Sequence, residues 1–320
     1  MMDAATEPCR LCLSGAIGRS FRAREMMIGH RDVFAYHECG ACLSLNLDDR
    51  IPDEALARYY GPGYYSFDQA RGSAIKRYLI GRRDRAAAGR FTPLGQVLAW
   101  LKPDAEMALI RSYRLPRDAA ILDVGCGAGH LLDRLADVGY TRLFGIDPFI
   151  AADTVSRHGV PILRRAIDAV VGRFDLVMFN HSLEHVEAPR AVLASARRLL
   201  APGGRCVVRI PTVSSDAWDE YGVDWVQLDA PRHVSLPSRG GMAIAGAAAG
   251  LRLERTVDDS SAFQFWASEQ YRRDVPLADP QVFTGMFSKA RMRGFERRAA
   301  ALNAQSRGDQ SAFVFRAAAD

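Results

Sequence analysis

The sequence has 320 residues, of which 48% are hydrophobic and 25% are charged, and this composition is typical of a globular protein. No apolar run approaches the roughly 18 residues that a membrane-spanning helix needs, and the first residues show no secretory leader, so we expect a cytoplasmic protein without a membrane span. The net charge of +5 and the pI of about 9.0 reflect arginines scattered along the chain, which indicates a solvated basic surface and argues against a nucleic-acid partner.

The N-terminal segment is distinguished by its cysteines. Four of the six cysteines fall within the first 42 residues, as two Cys-x-x-Cys pairs. Cytoplasmic chains seldom use cysteine pairs as disulfides, whereas two such pairs supply the four thiolates of a closed tetrahedral zinc site. Residues 1–50 are therefore predicted to form a module that holds a structural Zn²⁺. The predicted ligands are Cys9, Cys12, Cys39 and Cys42.

Two further regions follow this module. Residues 51–115 alternate helical and aromatic-rich pieces and are predicted to be a linker and lid, in which Tyr64 and Tyr65 would close a pocket. Over residues 116–320, stretches with helical spacing separate the apolar runs AAILDV, RLFGID, VPIL, FDLVMFN, RCVVRIP, LRLERTV and SAFVFRA. This alternation predicts an α/β fold with a Rossmann-like, mostly parallel seven-stranded sheet and helices on both faces.

The first of these strands leads into the glycine-rich stretch LDVGCGAGH. Glycines at 125, 127 and 129 allow the turn between strand and helix to approach a ligand closely. A dinucleotide fingerprint would place its third glycine where this chain has His130, which disfavours an NAD-dependent enzyme. Asp147 ends the second strand about 20 residues further on, where a carboxylate can hold the two ribose hydroxyls of an adenosine.

The ordered stretches ILDVGCGAGHLLDRL, LFGID, FDLVMFNHSLEHV and LLAPGGRCVVRIP resemble class I S-adenosylmethionine-dependent methyltransferases over about residues 116–258. The resemblance implies that the first-loop acid and glycines contact the methionine part of the cofactor and that the acid after the second strand binds the ribose. It also implies that residues after the third strand flank the adenine and that residues just past the fourth lie near the sulfonium. The matching residues are Asp123, Gly125, Gly127, Gly129, Asp147, Ala166, Ile167, Asn180 and His181.

The later part of the chain bears on the acceptor. The pattern HSLEHVEAPRAVL to DWVQLDAPRHVSL is similar to a subgroup associated with sugar and surface-polysaccharide modification, and a zinc module ahead of such a domain resembles bacterial deoxysugar methyltransferases. The resemblance implies O-methylation of a sugar, a carrier-linked saccharide or a related small-molecule hydroxyl. In the alternative, the zinc module recruits RNA or protein for methylation; NHSLEH in place of an NPPY-like tetrapeptide disfavours base amino groups.

The stretch NHSLEHV contains the H-x-x-E-H pattern of some zinc proteases. Such a protease needs both histidines on one helix, whereas here the pattern follows a buried strand, so this interpretation is disfavoured. Transfer to a hydroxyl requires a general base, and histidine suits neutral pH; the candidates are His181, His185 and His233. Two alternatives stay open: a divalent ion held by His181, Glu184 and His185, or a loop that Glu184 and His185 shape by hydrogen bonds.

Aromatic residues near the end of the chain allow two interpretations. Trp218, Tyr221 and Trp225 suit stacking on a sugar face and equally suit a packed lid. Residues 263–274, FQFWASEQYRRD, are either a further acceptor contact or a helix packed on the sheet.

Overall fold

The computed structural model of the protein describes residues 7–49, 51–60, 74–89, 92–279 and 286–318. Tyr64 and Tyr65 lie outside these residues. The chain divides into two compact units. Unit 1 comprises Met1–Pro62, His181–Ala194 and Val208–Asp320, and unit 2 comprises Gly63–Asn180 and Ser195–Val207.

Unit 1 begins with a small antiparallel sheet that carries the paired cysteines. Its elements are β1 (Ile17–Arg24), β2 (Val33–Cys39), β3 (Leu45–Leu47) and the short helix α1 (Asp53–Ala57). A fourth, two-residue strand, Ser235–Leu236, comes from much later in the chain and pairs antiparallel with β3, with Leu236 opposite Leu45. This pairing ties the cysteine-containing segment to a distant part of the same unit.

Unit 2 contains a parallel α/β sheet. Its helices are α2 (Ala74–Ala87), α3 (Pro93–Leu101), α4 (Ala105–Ser112) and α5 (His130–Asp137). Its strands are β4 (Ala120–Val124), β5 (Arg142–Ile146), β6 (Thr154–Val155), β7 (Pro161–Leu163) and β8 (Phe174–Asn180). Strand β4 is parallel to β5 and β8, β5 is parallel to β7, and β6 adds an antiparallel edge.

Two elements run through both units, namely α6 (Pro189–Leu199) and β9 (Leu200–Pro211). In unit 2 the sheet order is β9, β8, β4, β5, β7, β6. The remaining elements of unit 1 are α7 (Asp216–Tyr221), β10 (Ser235–Leu236), α8 (Arg239–Ala248), β11 (Leu251–Asp258), α9 (Phe263–Tyr271), α10 (Lys289–Ala304) and β12 (Gln310–Ala317). In unit 1, β12 lies between β9 and β11 and is antiparallel to β11.

The sequence explains the parallel strands directly. All five residues of β4 are buried, and β8 buries five of its seven, because parallel strands covered by helices on both faces read as continuous apolar runs. The predicted fold class, a mostly parallel α/β sheet with a small cysteine-bearing module, is confirmed. Strand β6 was not predicted; it makes the sheet eight-stranded in the described residues, against seven expected. None of the helices in the described ranges has the length and apolar character needed to cross a bilayer.

The aromatic residues considered as a sugar-stacking wall form part of the core of unit 1. Trp225 is fully buried, packs edge-on against Trp218 with 5.9 Å between ring centroids, and donates from Nε1 to Asp309 Oδ2 at 3.0 Å. Helix α9 likewise buries Phe265 and Tyr271. Of the two interpretations, the structure therefore shows packing rather than an open aromatic surface.

Candidate functional site

The residues predicted to hold the cofactor lie at one edge of the unit 2 sheet. Because β4, β5, β7 and β8 run parallel, their carboxyl ends meet at the same edge. Asp123 is the fourth residue of β4, the glycine loop follows that strand, and Asp147 follows β5. Ala166 and Ile167 come after β7, and Asn180 ends β8. The structure thus brings these candidates to a common edge.

The glycine loop requires glycine for its backbone conformation. Gly125, Gly127 and Gly129 have φ of 74°, 51° and 78°, in the left-handed region that side chains with a Cβ disfavour. A Cβ on Gly129 would also lie 2.6 Å from Ile162 Cδ1. The amides of Gly125 and Cys126 both donate to the Ile146 carbonyl, at 2.8 and 3.2 Å. The loop is therefore fastened to the end of β5.

Asp147 lies at the same edge of the sheet and binds the glycine loop. Its carboxylate is buried and accepts from the backbone amides of Gly127 and Phe149, at 2.9 Å to Oδ2 and 2.8 Å to Oδ1. Each carboxylate oxygen retains further acceptor capacity. The side chain can therefore hold the loop and still accept hydrogen bonds from the two hydroxyls of a ribose.

Asp123 is a buried polar group at this edge whose hydrogen-bonding capacity is not satisfied. It is 3% exposed, and its Oδ1 has no hydrogen-bond partner among the described residues. Burial raises the pKa of Asp123 to about 8, and the nearby charges of Glu106 and Asp147 add to the rise. An unpartnered carboxylate oxygen among negative charges is suited to a cation such as the methionine ammonium group. Glu106, on α4, stands in no recognisable motif, and sequence reasoning missed it.

The segment after β7 forms a single 3₁₀ turn, Ile167–Ala169. Ile167 is buried and Ala166, which precedes the turn, is exposed. Arg198 of α6 donates to the carbonyls of Val170 and Asp168, both at 3.0 Å. These hydrogen bonds hold the turn in place after the end of β7.

In unit 1, the three candidate catalytic histidines converge on one buried carboxylate; we call His181, Glu184, His185 and His233 the Glu184 cluster. Glu184 is fully buried within the 3₁₀ turn Leu183–His185. His181 Nδ1 lies 3.4 Å and His233 Nε2 lies 3.9 Å from Glu184 Oε1. The rings of His185 and His233 meet edge to face, with centroids 4.9 Å apart. The structure thus unites residues that lie about fifty positions apart in the sequence.

Hydrogen bonds assign the ring protons of two of these histidines. His185 Nδ1 lies 2.8 Å from the Arg232 carbonyl, and His233 Nδ1 lies 2.8 Å from the Gln227 carbonyl. Since a carbonyl only accepts, each Nδ1 carries a proton, and in the neutral ring Nε2 keeps its lone pair. Burial, followed by the charge of His185, lowers the pKa of His233 to about 4, so this ring is neutral at pH 7.

Glu184 is held as a carboxylate. Burial opposes its charged form, yet the contact with His181 and the neighbouring imidazoles of His185 and His233 leave its pKa below the usual value. Both of its carboxylate oxygens are nevertheless buried without a well-aligned hydrogen bond among the described residues. The cluster therefore combines a buried negative charge with two imidazole lone pairs.

A buried network of charged side chains lies next to His233. Arg232 is fully buried and donates to Asp229, to Glu25 Oε1 at 3.0 Å and to the Tyr59 carbonyl at 2.7 Å. Glu25 in turn accepts from three backbone amides of the loop between β1 and β2, at 2.8 to 2.9 Å. Sequence reasoning missed Glu25, which no motif marks.

The four cysteines predicted as zinc ligands come together in unit 1. Their sulfur atoms all lie within 4.8 Å of one another, with Cys9 and Cys42 at 3.6 Å and Cys12 and Cys39 at 3.5 Å. Tetrahedral Zn²⁺ with Zn–S bonds of about 2.3 Å requires sulfur separations of roughly 3.8 Å. The neighbouring Cys42 thiol lowers the pKa of Cys9, which favours the thiolate that a metal binds.

Both cysteine pairs adopt the same turn. The residue after each pair has a left-handed backbone, with φ of 60° at Leu13 and 61° at Leu43. The amide of each donates to the carbonyl of the first cysteine, Leu13 to Cys9 at 2.8 Å and Leu43 to Cys39 at 2.9 Å. The two halves are therefore matching knuckles that face a common centre, and this donor set fits one structural zinc ion.

The fold and the glycine loop define a class of protein. A mostly parallel sheet whose carboxyl edge carries a glycine-rich turn and, one strand later, a carboxylate is typical of α/β enzymes that bind an adenosine-containing cofactor. Residues 95–256, just over half of the chain, match the family described as methyltransferase domain. The chain belongs to this family and carries its methyltransferase domain.

Individual relatives are similar over part of the chain. The ubiquinone biosynthesis O-methyltransferase of Nitrosococcus oceani is 32% identical over 128 residues, which cover 37% of this chain and 52% of that protein. The malonyl-[acyl-carrier protein] O-methyltransferase of Hahella chejuensis is 28% identical over 197 residues, which cover 58% of this chain and 68% of that protein. The chain spans about half the length of the first of these curated relatives.

Among solved structures, an S-adenosylmethionine-dependent methyltransferase from Mesorhizobium loti is similar with a TM-score of 0.43 and 17% identity. The similarity covers 68% of this chain and 99% of that one.

Proposed function

We propose that the protein methylates a hydroxyl oxygen of a small or carrier-linked acceptor, with a saccharide as the acceptor class that the sequence favours. The observation that carries this proposal is the Glu184 cluster. A hydroxyl must lose its proton as it is methylated, and neutral imidazoles beside a carboxylate are suited to accept it. Relatives named as O-methyltransferases also support transfer to oxygen.

The cofactor side of the proposal uses the edge of the unit 2 sheet. When bound, S-adenosylmethionine supplies an activated methyl group, whose transfer to an acceptor oxygen breaks the carbon–sulfur bond and leaves the electron pair on sulfur. Asp147 would accept from the ribose hydroxyls, and Asp123 would face the methionine ammonium group. The glycine loop would approach the methionine part, and Ala166 and Ile167 would flank the adenine.

The acceptor side of the proposal uses unit 1. His181 directly follows Asn180 in the chain, and the family resemblance of the sequence predicts both as neighbours of the sulfonium. His185 or His233 would take the hydroxyl proton at Nε2, the ring nitrogen that keeps its lone pair. The low pKa of His233 makes it a weak base at neutral pH, so it would rely on alignment of the hydroxyl rather than on basicity.

Methyl-labelled S-adenosylmethionine tests the acceptor class. Candidate acceptors are a nucleotide-linked sugar, a phenol, an acyl-carrier protein and RNA. We expect label in the sugar in a form that resists alkali, because a methyl ether is stable to base and a methyl ester is not. The variant His233→Asn should lower the turnover rate at least about 100-fold, the contribution typical of general-base catalysis, with cofactor affinity unchanged.

The matched control is His158→Asn, since His158 is exposed and pairs with Asp137 away from the cluster. It should retain full turnover. Base-labile label, or label found only in RNA, would overturn the proposal of hydroxyl methylation.

A pH dependence of cofactor affinity tests the role of Asp123. With its pKa raised to about 8, the carboxyl is protonated at lower pH and must release a proton when it pairs with the ammonium group. Affinity should therefore rise by up to about tenfold per pH unit from about pH 6 to 7.5. It should level off near pH 8, where an α-amino group itself loses its proton. Isothermal calorimetry in buffers of different ionisation enthalpy would count the released protons.

Asp123→Asn should abolish this pH dependence and the proton release. The exposed Asp118 provides the control, because Asp118→Asn should keep both. A wild-type affinity that does not change with pH would contradict the assignment of Asp123.

The remaining sequence-based expectations stay predictions. They are the structural zinc ion, the boundaries 1–50, 51–115 and 116–320, and a location in the cytoplasm. The zinc prediction is supported by the geometry of the two knuckles.

A further inference from the structure

We propose that Glu184, His185 and His233 form a binding site for one divalent transition-metal ion. Each of these residues offers one ligand atom, and the three atoms lie within 4.8 Å of one another. The proposal deepens the proposed function and rests on it in one respect, since the ion would bind the acceptor hydroxyl. The binding of the ion itself can be measured without any acceptor.

The hydrogen bonds of the two rings are those of metal ligands. His185 and His233 each direct Nδ1–H to a backbone carbonyl at 2.8 Å. Histidines that bind metals usually donate their second ring nitrogen in this way, because the bond fixes the tautomer and the orientation of the ring. Both Nε2 lone pairs are thereby free for an ion.

The buried carboxylate of Glu184 is a second, separate indication of a bound cation. The side chain is fully buried, yet neither of its oxygens has a hydrogen-bond partner that meets ordinary geometry among the described residues. Two imidazole nitrogens lie near Oε1, His181 Nδ1 at 3.4 Å and His233 Nε2 at 3.9 Å. A buried charge of this kind is costly unless it is paired, and a cation between Glu184 and the two imidazole rings would pair it.

Three structural features hold the proposed ligands in place. His185 sits in the same 3₁₀ turn as Glu184. The amide of Val234, next to His233, donates to the Glu184 carbonyl at 2.9 Å. The carbonyl of His233 accepts from the hydroxyl of Tyr36 at 2.9 Å. Ligands fixed by such bonds need little rearrangement to close around an ion.

The donor set also indicates which ion is bound. Two imidazoles and one carboxylate suit Mn²⁺, Fe²⁺, Co²⁺ or Zn²⁺ and leave coordination positions open. The cluster differs from the four-cysteine centre, whose thiolates fill every position. A hydroxyl bound at an open position loses its proton more readily, because the ion stabilises the oxygen anion. With His185 and His233 bound to the ion, these rings would not take the proton, and it would leave to solvent in place of the direct transfer to histidine.

Titration with MnCl₂ alone tests this site, because Mn²⁺ prefers nitrogen and oxygen ligands and leaves thiolate zinc centres intact. Free Mn²⁺ is followed by electron paramagnetic resonance with the full chain after dialysis against a weak chelator. We expect one bound Mn²⁺ per chain. Glu184→Gln and His185→Asn should each weaken binding at least about tenfold, and His158→Asn should have no effect.

Circular dichroism melting curves would show whether each variant is folded. If Glu184→Gln does not fold, His185→Asn alone tests the site. No bound Mn²⁺ at concentrations up to about 1 mM, a weak affinity on the scale of protein ligands, together with no second Zn²⁺ per chain after incubation with ZnCl₂, would overturn the site, because Mn²⁺ is the weakest binder of these ions. Equal affinity in wild type and folded variants would do the same. Cofactor binding measured separately by calorimetry tells the two ideas apart: cofactor without Mn²⁺ rejects only the metal site, and Mn²⁺ without cofactor rejects only the proposed function.

Discussion

Substituting Asp147 by alanine is expected to weaken S-adenosylmethionine binding at least about 100-fold, because hydrogen bonds to a charged group contribute about 1.5 to 3 kcal/mol each. The variant removes the acceptor for both ribose hydroxyls. It also removes the acceptor for the Gly127 and Phe149 amides, so the glycine loop loses its attachment to the side chain. Isothermal calorimetry of wild type and variant measures the effect.

The matched control is Asp153→Ala. Asp153 is an exposed carboxylate in the same unit that accepts from the Arg164 amide at 2.7 Å, so its loss removes a comparable backbone contact without a proposed ligand role. Its cofactor affinity should stay within a factor of about two. If Asp147→Ala bound the cofactor as tightly as this control, Asp147 would not be the ribose acceptor.

Strands that are buried on both faces were the most predictable part of the fold. The runs AILDV and FDLVMFN contain too few polar residues to be anything but interior strands, and they form β4 and β8. Strand β6 has two residues, both exposed, and therefore leaves no hydrophobic signal. Strand β10 also has two residues, and its pairing with β3 joins segments about 190 residues apart. Local sequence carries no information on such a contact.

The candidate site likewise has residues that could be predicted from the sequence and residues that could not. The cofactor residues could be predicted because each one follows a strand, and parallel strands bring their carboxyl ends together. The Glu184 cluster could be predicted only in part: His181, Glu184 and His185 share one stretch, but the position of His233 depends on the Val234–Glu184 backbone bond. The roles of Glu25 and Glu106 were not predicted, because in a sequence a buried acidic residue outside a motif looks the same as an exposed one.

The cysteine knuckles and the Glu184 cluster belong to one connected structure within unit 1. Cys42 is followed by β3, which pairs with Ser235–Leu236, two residues beyond His233. Ser238 donates from Oγ to the Cys42 carbonyl and from its amide to Ser44 Oγ at 3.0 Å. The cysteine-containing segment therefore does more than stabilise itself, because it fixes the strand that presents His233.

Loss of the predicted zinc ion is expected to have a correspondingly large effect. Structural zinc contributes on the order of 10 kcal/mol of binding free energy in small zinc modules, and 1 kcal/mol shifts the melting temperature of a larger domain by about 2–4 °C. Cys39→Ser should therefore lower the melting temperature by at least about 10 °C. Methyl transfer should be lost with it, because β10, which follows His233 in the chain, loses its partner strand. Circular dichroism measures the melting temperature, a labelled-methyl assay measures transfer, and elemental analysis counts the zinc.

Cys206→Ala separates this effect from the ordinary cost of changing a buried cysteine. Cys206 is fully buried in β9 and lies outside the four-cysteine cluster, so its truncation should cost only about 1–2 kcal/mol and leave one zinc ion per chain. A wild-type preparation that is folded and free of metal would contradict the zinc prediction. A zinc-free Cys39→Ser variant that still transfers methyl groups at the wild-type rate would show instead that His233 is held without the knuckles, through contacts such as those of Tyr36 and Arg232.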